Sequence, residues 1–445
     1  MSRLPMLLGR AGAFAILLLA SLPAQATNIE RVVSPLGIVA WVVRDATVPL
    51  VTVDFSFNGG ASQDPAERAG VANIVTSMLD EGAGELDARA FQERLEGKAI
   101  EFSMRAGRDA LRGSLRTLAE NKDEAFELLR LALNAPRFDA EPLERIRAQV
   151  LSGLRRETTN PNDIASRRWW QTAYPEHPYG RSVNGTSESV AAITRDDLRA
   201  YSNRILARDQ IKIGIVGDID IPTIHKMLDQ VFGGLPAKAN LRGVPAEPPQ
   251  GAGRRIVTQL DVPQSVVTFG GAGIARNDPE FMAAYVVNHI LGGGSFSSRL
   301  YHEVREVRGL AYSVYTSLAW MRNSALFLGS TATRADRTLQ AIELIEAEIK
   351  RMANEGPTEQ ELAAAKSYLA SSFALGLDTS GKIAAQLVQM QLDDLGIDYI
   401  DRRAALIDAV TLDAAKRAAK RLFSAGLLIS VVGRPDAVAA VGPAN

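Results

Sequence analysis

The sequence predicts an α+β fold made of two homologous tandem domains, each a mostly antiparallel sheet with helices packed on it. At 445 residues the chain is too long for one ordinary hydrophobic core. The pair Val48-Pro49 and Asp64-Pro65, with an alternating pattern between them, recurs 214 residues later as Val262-Pro263 and Asp278-Pro279. The segment IKIGIVG at 211–217 similarly recurs as LLISVVG at 427–433. Such nearly constant offsets indicate a tandem duplication with few net insertions.

The first repeat begins with strand periodicity and continues with helical periodicity. Residues 51–57 alternate as a half-buried strand does, and residues 66–79 then show helical spacing. Residues 111–118 predict another strand, and residues 121–134 and 140–156 predict two helices separated by Pro136. Strands mixed with runs of helices favour antiparallel sheets with helices on one face.

The second repeat shows the same succession. It predicts a strand at 265–271, a helix at 280–291, strands near 311–319 and 325–331, and then several helices. Between the repeats, residues 235–253 are rich in proline and glycine and have no apolar period. We therefore place the domains at 27–234 and 254–445, joined by a linker that lets the angle between them vary.

The first 26 residues have the pattern of a cleaved signal peptide. Arg3 and Arg10 supply the positively charged N-terminal region, and the apolar core follows at residues 11–20. Ala24-Gln25-Ala26 is a small-residue cleavage site. The apolar run is near half of the roughly 20 residues that a spanning helix needs, so a retained membrane anchor is the less favoured alternative. The chain has no cysteine, which excludes disulfides and thiolate ligands. We expect a periplasmic protein without a stable anchor after cleavage.

The net charge of −1 at pH 7 gives no positively charged surface field that would attract nucleic acid.

The most informative stretch runs from Gly292 to Tyr312, GGGSFSSRLYHEVREVRGLAY. It resembles the second-domain signature of the M16 (pitrilysin, or insulinase-like) zinc peptidases. The resemblance implies a LuxS/MPP-like metallohydrolase fold, with the chain forming half of a clamshell. It also implies that Arg305 and Tyr312 contact an extended peptide near the scissile carbonyl. The neighbouring residues implied in substrate binding are Gly292, Gly293, Gly294 and Ser313.

Members of that family that cut peptides also carry His-x-x-Glu-His in the first domain, and this sequence does not. Asn73, Thr76 and Ser77 occupy the positions of the two histidines and the glutamate, and Gly153 lies near the expected distant acidic ligand. No pair among His177, His225, His289 and His302 has a ligand spacing. We expect no metal in this chain and zinc in a partner subunit that bears the motif.

Three functions remain open at this point. The favoured one is a non-catalytic subunit that completes the substrate site of a zinc-bearing M16 partner, because a phenol can donate to a developing oxyanion but cannot activate water. The second is a binding or scaffold protein, like the core subunits of the respiratory cytochrome bc1 complex. The third is an enzyme acting alone by an unrecognised mechanism. For the two residues themselves, the alternative is that Arg305 is a solvated helix charge and Tyr312 packs on a sheet.

Overall fold

The computed structural model of the protein describes residues 28–434, which form two α+β domains with one mixed sheet each. The predicted signal peptide lies outside this range. Within it, no helix is both long enough and apolar enough to cross a membrane.

The sheet of the first domain has six strands in the order β1-β2-β6-β3-β5-β4, and its neighbours are antiparallel except for the parallel pair β2–β6. The strands are β1 Glu30–Val33, β2 Val39–Arg44, β3 Leu50–Asn58, β4 Glu101–Ala106, β5 Ala110–Leu118 and β6 Ile211–Gly217. The helices are α1 Val71–Met78, α2 Ala88–Gly97, α3 Lys122–Asn134, α4 Ala140–Glu157, α5 Pro161–Ala173, α6 Ser187–Ala192, α7 Arg195–Ile205 and α8 Ile221–Phe232.

The second domain repeats the arrangement with five strands in the order β7-β11-β8-β10-β9, and again one pair, β7–β11, is parallel. The strands are β7 Arg255–Gln259, β8 Gln264–Ala272, β9 Ala311–Met321, β10 Ser324–Arg334 and β11 Leu428–Gly433. The helices are α9 Phe281–Asn288, α10 Thr338–Glu355, α11 Glu359–Leu375, α12 Ser380–Leu392, α13 Tyr399–Asp408 and α14 Leu412–Phe423. Equivalent strands stand in the same order in both sheets, as a duplication requires, and the predicted mostly antiparallel α+β fold is confirmed.

The helix predicted at 66–79 is interrupted. A short 3₁₀ turn at Ala66–Arg68 precedes α1, because Gly70 has a positive φ of 96° that ends the turn. The buried Asp64 carboxylate accepts hydrogen bonds from the Gly70 and Ala72 N–H groups at 2.8 and 3.2 Å. This satisfies amides that the start of α1 leaves free, which explains the aspartate at position 64.

Each domain packs one helix on the sheet of the other domain, and the two helices are equivalent in the duplication; we call them the exchanged helices. Helix α5 of the first domain packs on β8 and β11 of the second, and α12 of the second packs on β3 and β6 of the first. The indole of the fully buried Trp169 donates to the Leu428 carbonyl at 3.0 Å, and Leu387 packs with Val216. The pair Trp169-Trp170 therefore lies in the domain interface.

The linker at 235–253 is hydrogen-bonded to the first domain along its course. The Gln63 side chain accepts from the Arg242 N–H at 2.7 Å and donates to its carbonyl at 3.0 Å. His177 Nδ1 accepts from the Tyr179 N–H at 3.1 Å, so Nε2 carries the proton that is donated to the Pro245 carbonyl at 3.0 Å. These contacts fasten the linker to the first domain, and α5 and α12 join the two domains.

Candidate functional site

Arg305 and Tyr312 lie side by side in the second domain. The Arg305 guanidinium carbon is 4.6 Å from the centroid of the Tyr312 ring and 4.8 Å from that of Tyr301. Arg305 also donates a hydrogen bond to the Tyr301 hydroxyl. Because the cation lies within about 6 Å of both rings, cation–π attraction holds Tyr312 against it. The predicted pair is therefore brought together by the fold.

Tyr312 projects from an irregular point on an open sheet edge. Strand β9 is the outermost strand of the second sheet, so one side of its backbone pairs with no other described strand. A bulge places Tyr312 and Ser313 opposite the single residue Ala332. The Tyr312 side chain is 80% exposed, and Tyr315 further along the strand is 55% exposed. A tyrosine this exposed adds little to the core, so packing in a sheet does not explain its position.

Two π-helical segments position the arginine. Helix α9 continues into the first, His289–Gly293, and the second, Tyr301–Val307, carries Arg305. Segments of this kind are rare and occur frequently at functional sites. The turn between them contains Ser295 with a left-handed φ of 48°. His289 is buried, desolvation lowers its pKa, and its ring stacks on Tyr368, so it is a packing residue.

An ion pair fixes the start of the second π-helical segment. Arg299 donates Nε and Nη2 to the two carboxylate oxygens of Glu361 at 2.6 and 2.7 Å, and Nη2 also donates to the Gly356 carbonyl at 3.0 Å. Burial alone would raise the pKa of Glu361, but the hydrogen bonds from Arg299 and from the Thr358 N–H outweigh it and lower that pKa to about 2. The bidentate geometry makes this a strong anchor.

The glycine triplet has different roles at its three positions. A Cβ at Gly292 would lie 2.5 Å from Thr316 Oγ1, so Gly292 is needed for the close packing of the first π-helical segment on β9. Gly292 is buried, which corrects the prediction that it contacts substrate. Gly293 and Gly294 reach the surface, as does Ser313.

The residues at the metal-site positions do not fit zinc. The Thr76 and Ser77 hydroxyls both donate to the Asn73 carbonyl at 2.9 Å within α1. Helix α1 packs on α4, where Gly153 offers no ligand atom. Zinc in proteins takes imidazole, thiolate or carboxylate ligands, and this set supplies none of them. In the described part of the chain, no group of three or more His, Cys, Asp or Glu could hold a metal ion.

Sequence reasoning missed the aromatic surroundings of the pair. Tyr301 is buried beneath Arg305, and the 73% exposed Phe296 packs edge-on against it, with ring centroids 4.9 Å apart. The sequence did contain a signal for this contact, because Tyr301 and Arg305 are four residues apart and residues with that spacing share one face of a helix.

Both the sequence and the fold of this chain are similar to those of known proteins. Residues 39–187 match the model of insulinase (peptidase family M16), and residues 192–369 match that of the peptidase M16 inactive domain. The structure is similar to the crystal structure of a peptidase M16 inactive domain from Pseudomonas fluorescens, with a TM-score of 0.85 and 28% identity, covering 92% of this chain and 98% of that one. It is also similar in fold to a protease from Helicobacter pylori, with a TM-score of 0.84, 19% identity, and coverage of 92% and 100%.

Two curated relatives carry names that differ in the activity they state. The non-peptidase homolog YmxG of Helicobacter pylori is 27% identical over 75% of this chain and 77% of its own length. The uncharacterized zinc protease YmxG of Bacillus subtilis is 23% identical over 91% of this chain and 98% of its own length. With matches in both domains, this chain belongs to peptidase family M16, as a non-catalytic homologue that lacks the His-x-x-Glu-His motif.

Proposed function

We propose that this protein is a non-catalytic subunit of a periplasmic M16 zinc peptidase. In this role it supplies Tyr312 and Arg305 to the active site of a partner that bears His-x-x-Glu-His, and the complex hydrolyses unfolded peptides. The observation that carries the proposal is the exposed Tyr312, held in place by a cation and free at its hydroxyl. Similarity to a relative named a non-peptidase homolog supports a role that depends on a partner.

The Tyr312 hydroxyl is available as a hydrogen-bond donor. Within residues 28–434 it forms no hydrogen bond, while Arg305 fixes the ring from one side. Negative charge builds on the carbonyl oxygen when a peptide bond is attacked, and a donor already in position stabilises that charge without reorganisation. The phenol of Tyr312 can make this contact on a peptide bound between the two subunits.

Arg305 combines positioning with substrate binding. It has no carboxylate ion-pair partner in the described chain, and one of its N–H groups is used by the Tyr301 hydroxyl. The remaining donors can bind a peptide carbonyl or a carboxylate. Neither Arg305 nor Tyr312 can act as a base toward water at neutral pH, so the step that activates water belongs to the partner.

The open edge of β9 provides a place for the peptide backbone. An extended segment can add to an unpaired strand edge through main-chain hydrogen bonds, which selects for flexibility more than for sequence. Tyr312 and Tyr315 are exposed along this strand, so an added peptide would run past both rings. Unfolded peptides are the substrates that this geometry favours.

The test is peptide hydrolysis by an M16 protein with the His-x-x-Glu-His motif from the same organism, measured with and without the mature chain. We expect activity with the wild-type chain and a loss of about a hundredfold for Tyr312→Phe, which removes only the hydroxyl. Tyr368→Phe is the matched control, since Tyr368 is 58% exposed but lies on α11, away from strand β9, and loss of its hydroxyl should leave the rate unchanged.

Two results would decide against the proposal. If Tyr312→Phe supports the same rate as the wild-type chain, the oxyanion role fails. If the two proteins associate but the rate does not change, the binding or scaffold function becomes the better interpretation. Metal analysis of the purified mature chain should find no stoichiometric zinc, and finding it would contradict our interpretation of the Asn73, Thr76 and Ser77 positions.

A further inference from the structure

The first domain carries a row of cations across four neighbouring strands. In the registers of the sheet, Lys212 on β6 is opposite Ser56 on β3, Ser56 is opposite Arg112 on β5, and Arg112 is opposite Arg105 on β4. Residues directly opposite each other point to the same face, with Cβ atoms about 5 Å apart. We call Lys212, Arg112 and Arg105 the basic row. Its two arginines are adjacent like charges, which destabilise a sheet when nothing compensates them.

The basic row faces a cleft between the two domains. The cleft has a volume of about 1200 Å³ and is also lined by Trp320 and Arg322 of the second domain. Its wall contains seven cationic and four carboxylate side chains. The cations are Arg105, Arg108, Arg112, Lys212, Arg276, Arg322 and Arg402, and the carboxylates are Asp109, Asp209, Asp393 and Asp394. A cleft with an excess of one sign between low-dielectric walls concentrates ligands of the opposite sign.

The carboxylates that line the cleft form no close ion pair with the row. None of the three cations of the row is ion-paired to a carboxylate in the part of the chain that the structure describes, and Arg112 donates instead to the Gln389 amide. Three of the four carboxylates accept hydrogen bonds from groups outside the row. Asp109 accepts from the Tyr179 hydroxyl at 2.6 Å, Asp209 from the Ala239 N–H at 2.9 Å, and Asp393 from the Trp320 indole at 3.1 Å.

One further carboxyl lies beneath the row. Asp54 is buried in the adjacent register of β3, opposite Ser114, and one of its oxygens has no hydrogen-bond partner among the described residues. Burial raises the pKa of Asp54 to about 6, while the charges of Arg112 and Arg105 act to lower it. The charges of Asp54 and Asp393 both act on Arg112, and these two carboxyls are fewer than the three cations of the row, so a net positive charge faces the cleft.

We propose that the interdomain cleft is a binding site for an oxyanion, either a carboxylate or a phosphate group, held by Arg105, Arg112 and Lys212. Arginine forks match both groups in a bidentate geometry, and the adjacent arginine pair places two forks side by side. A bound anion removes the like-charge repulsion that the strand register creates. This site is separate from Tyr312, since Arg322 at the cleft lies at the far end of β9, about 33 Å away along an extended strand.

The same geometry admits two sources of the anion. An acidic side chain or terminal carboxylate of a peptide could reach the cleft, because the open strand β9 runs from Tyr312 to its wall. Free phosphate or a small phosphorylated molecule would satisfy the same arginines. The two sources share one chemistry and are distinguished by the choice of ligand.

The test is calorimetric titration of the whole mature chain with inorganic phosphate, with a glutamate-rich peptide, and with the same peptide carrying glutamine instead. Binding should require the anion, weaken with added salt, and weaken about tenfold or more in Arg105→Gln. Arg116→Gln is the matched control, because Arg116 lies on β5 on the same sheet face but is ion-paired with Glu101 at 3.5 Å and does not line the cleft. Its affinity should equal that of the wild type.

Thermal unfolding provides a second readout that does not need the natural ligand. Without anions, Arg105→Gln should unfold at a higher temperature than wild type, because the substitution removes a like-charge contact. Added phosphate or acidic peptide should then stabilise the wild type more than the variant. Preference for the acidic peptide identifies a peptide carboxylate, and binding of phosphate identifies a small anion. The proposal is overturned if no anion binds at millimolar concentration, or if Arg105→Gln and Arg116→Gln behave alike.

Discussion

Replacing Leu387 with alanine should destabilise the domain to which Leu387 does not belong. Leu387 lies on α12 of the second domain, but its fully buried side chain packs with Val43 and Val216 of the first sheet. The helix cannot move in to fill the space, because a Cβ at Gly214 would already lie 2.5 Å from the Ala384 carbonyl oxygen. Leucine-to-alanine changes that leave an unfilled cavity cost about 3 to 5 kcal/mol, and we expect about 4 kcal/mol here.

The assay combines guanidinium unfolding with hydrogen exchange followed by mass spectrometry. In Leu387→Ala, the amides of β3 and β6 in the first domain should exchange faster, since the helix that covers them is loosened. Ile407→Ala is the matched control, because Ile407 is equally buried but belongs to the core cluster of the second domain. Faster exchange confined to the second domain in both variants would refute the inference that the exchanged helices couple the domains.

Three further outcomes follow from single contacts. Gly292→Ala should lower the melting temperature by placing a Cβ against Thr316 Oγ1, and adding Thr316→Ala should restore part of the loss in a double-mutant cycle. Because the Glu361 pKa is about 2 in the folded chain and 4.5 ordinarily, its stabilising contribution is fully present above about pH 4.5 and is lost as the pH falls toward 2. Thermal unfolding across that range should be less pH-dependent in Glu361→Gln. His177→Ala removes the bond to the Pro245 carbonyl and should speed limited proteolysis of the linker, and an unchanged cleavage rate would contradict this.

Most of the strands and helices could be predicted from the sequence. The alternating pattern at 51–57 became β3, Leu50–Asn58, but this strand is buried on both faces and not on one, because α12 covers its polar face. The helical pattern at 121–134 became α3, Lys122–Asn134, which buries one face in the core of the first domain. The helix predicted at 280–291 ended early, since α9 stops at Asn288 and continues as a π-helix. An apolar period near 3.6 does not distinguish the two kinds of turn.

Long-range arrangement was beyond what the sequence could show. The apolar faces of α5 and α12 indicate that both helices are covered, but not that each covers the sheet of the other domain. Likewise Arg105, Arg112 and Lys212 are scattered along the chain, and only the register of four strands places them in one row. The resemblance to a family predicted that Arg305 and Tyr312 act together, whereas the aromatic support from Tyr301 appeared only in the structure.

The surroundings of Tyr312 argue for function on energetic grounds. A side chain that is 80% exposed buries little apolar surface and therefore adds little to the free energy of unfolding. Several features that lower the stability of the fold nevertheless surround Tyr312. They are a strand bulge, a serine in the left-handed region, two π-helical segments, and an arginine without a carboxylate partner in the described chain. We infer that features which cost stability and orient an exposed phenol serve contact with another molecule. Since the metal positions of the same chain hold only Asn73, Thr76 and Ser77, we infer that the other molecule brings the remaining chemistry.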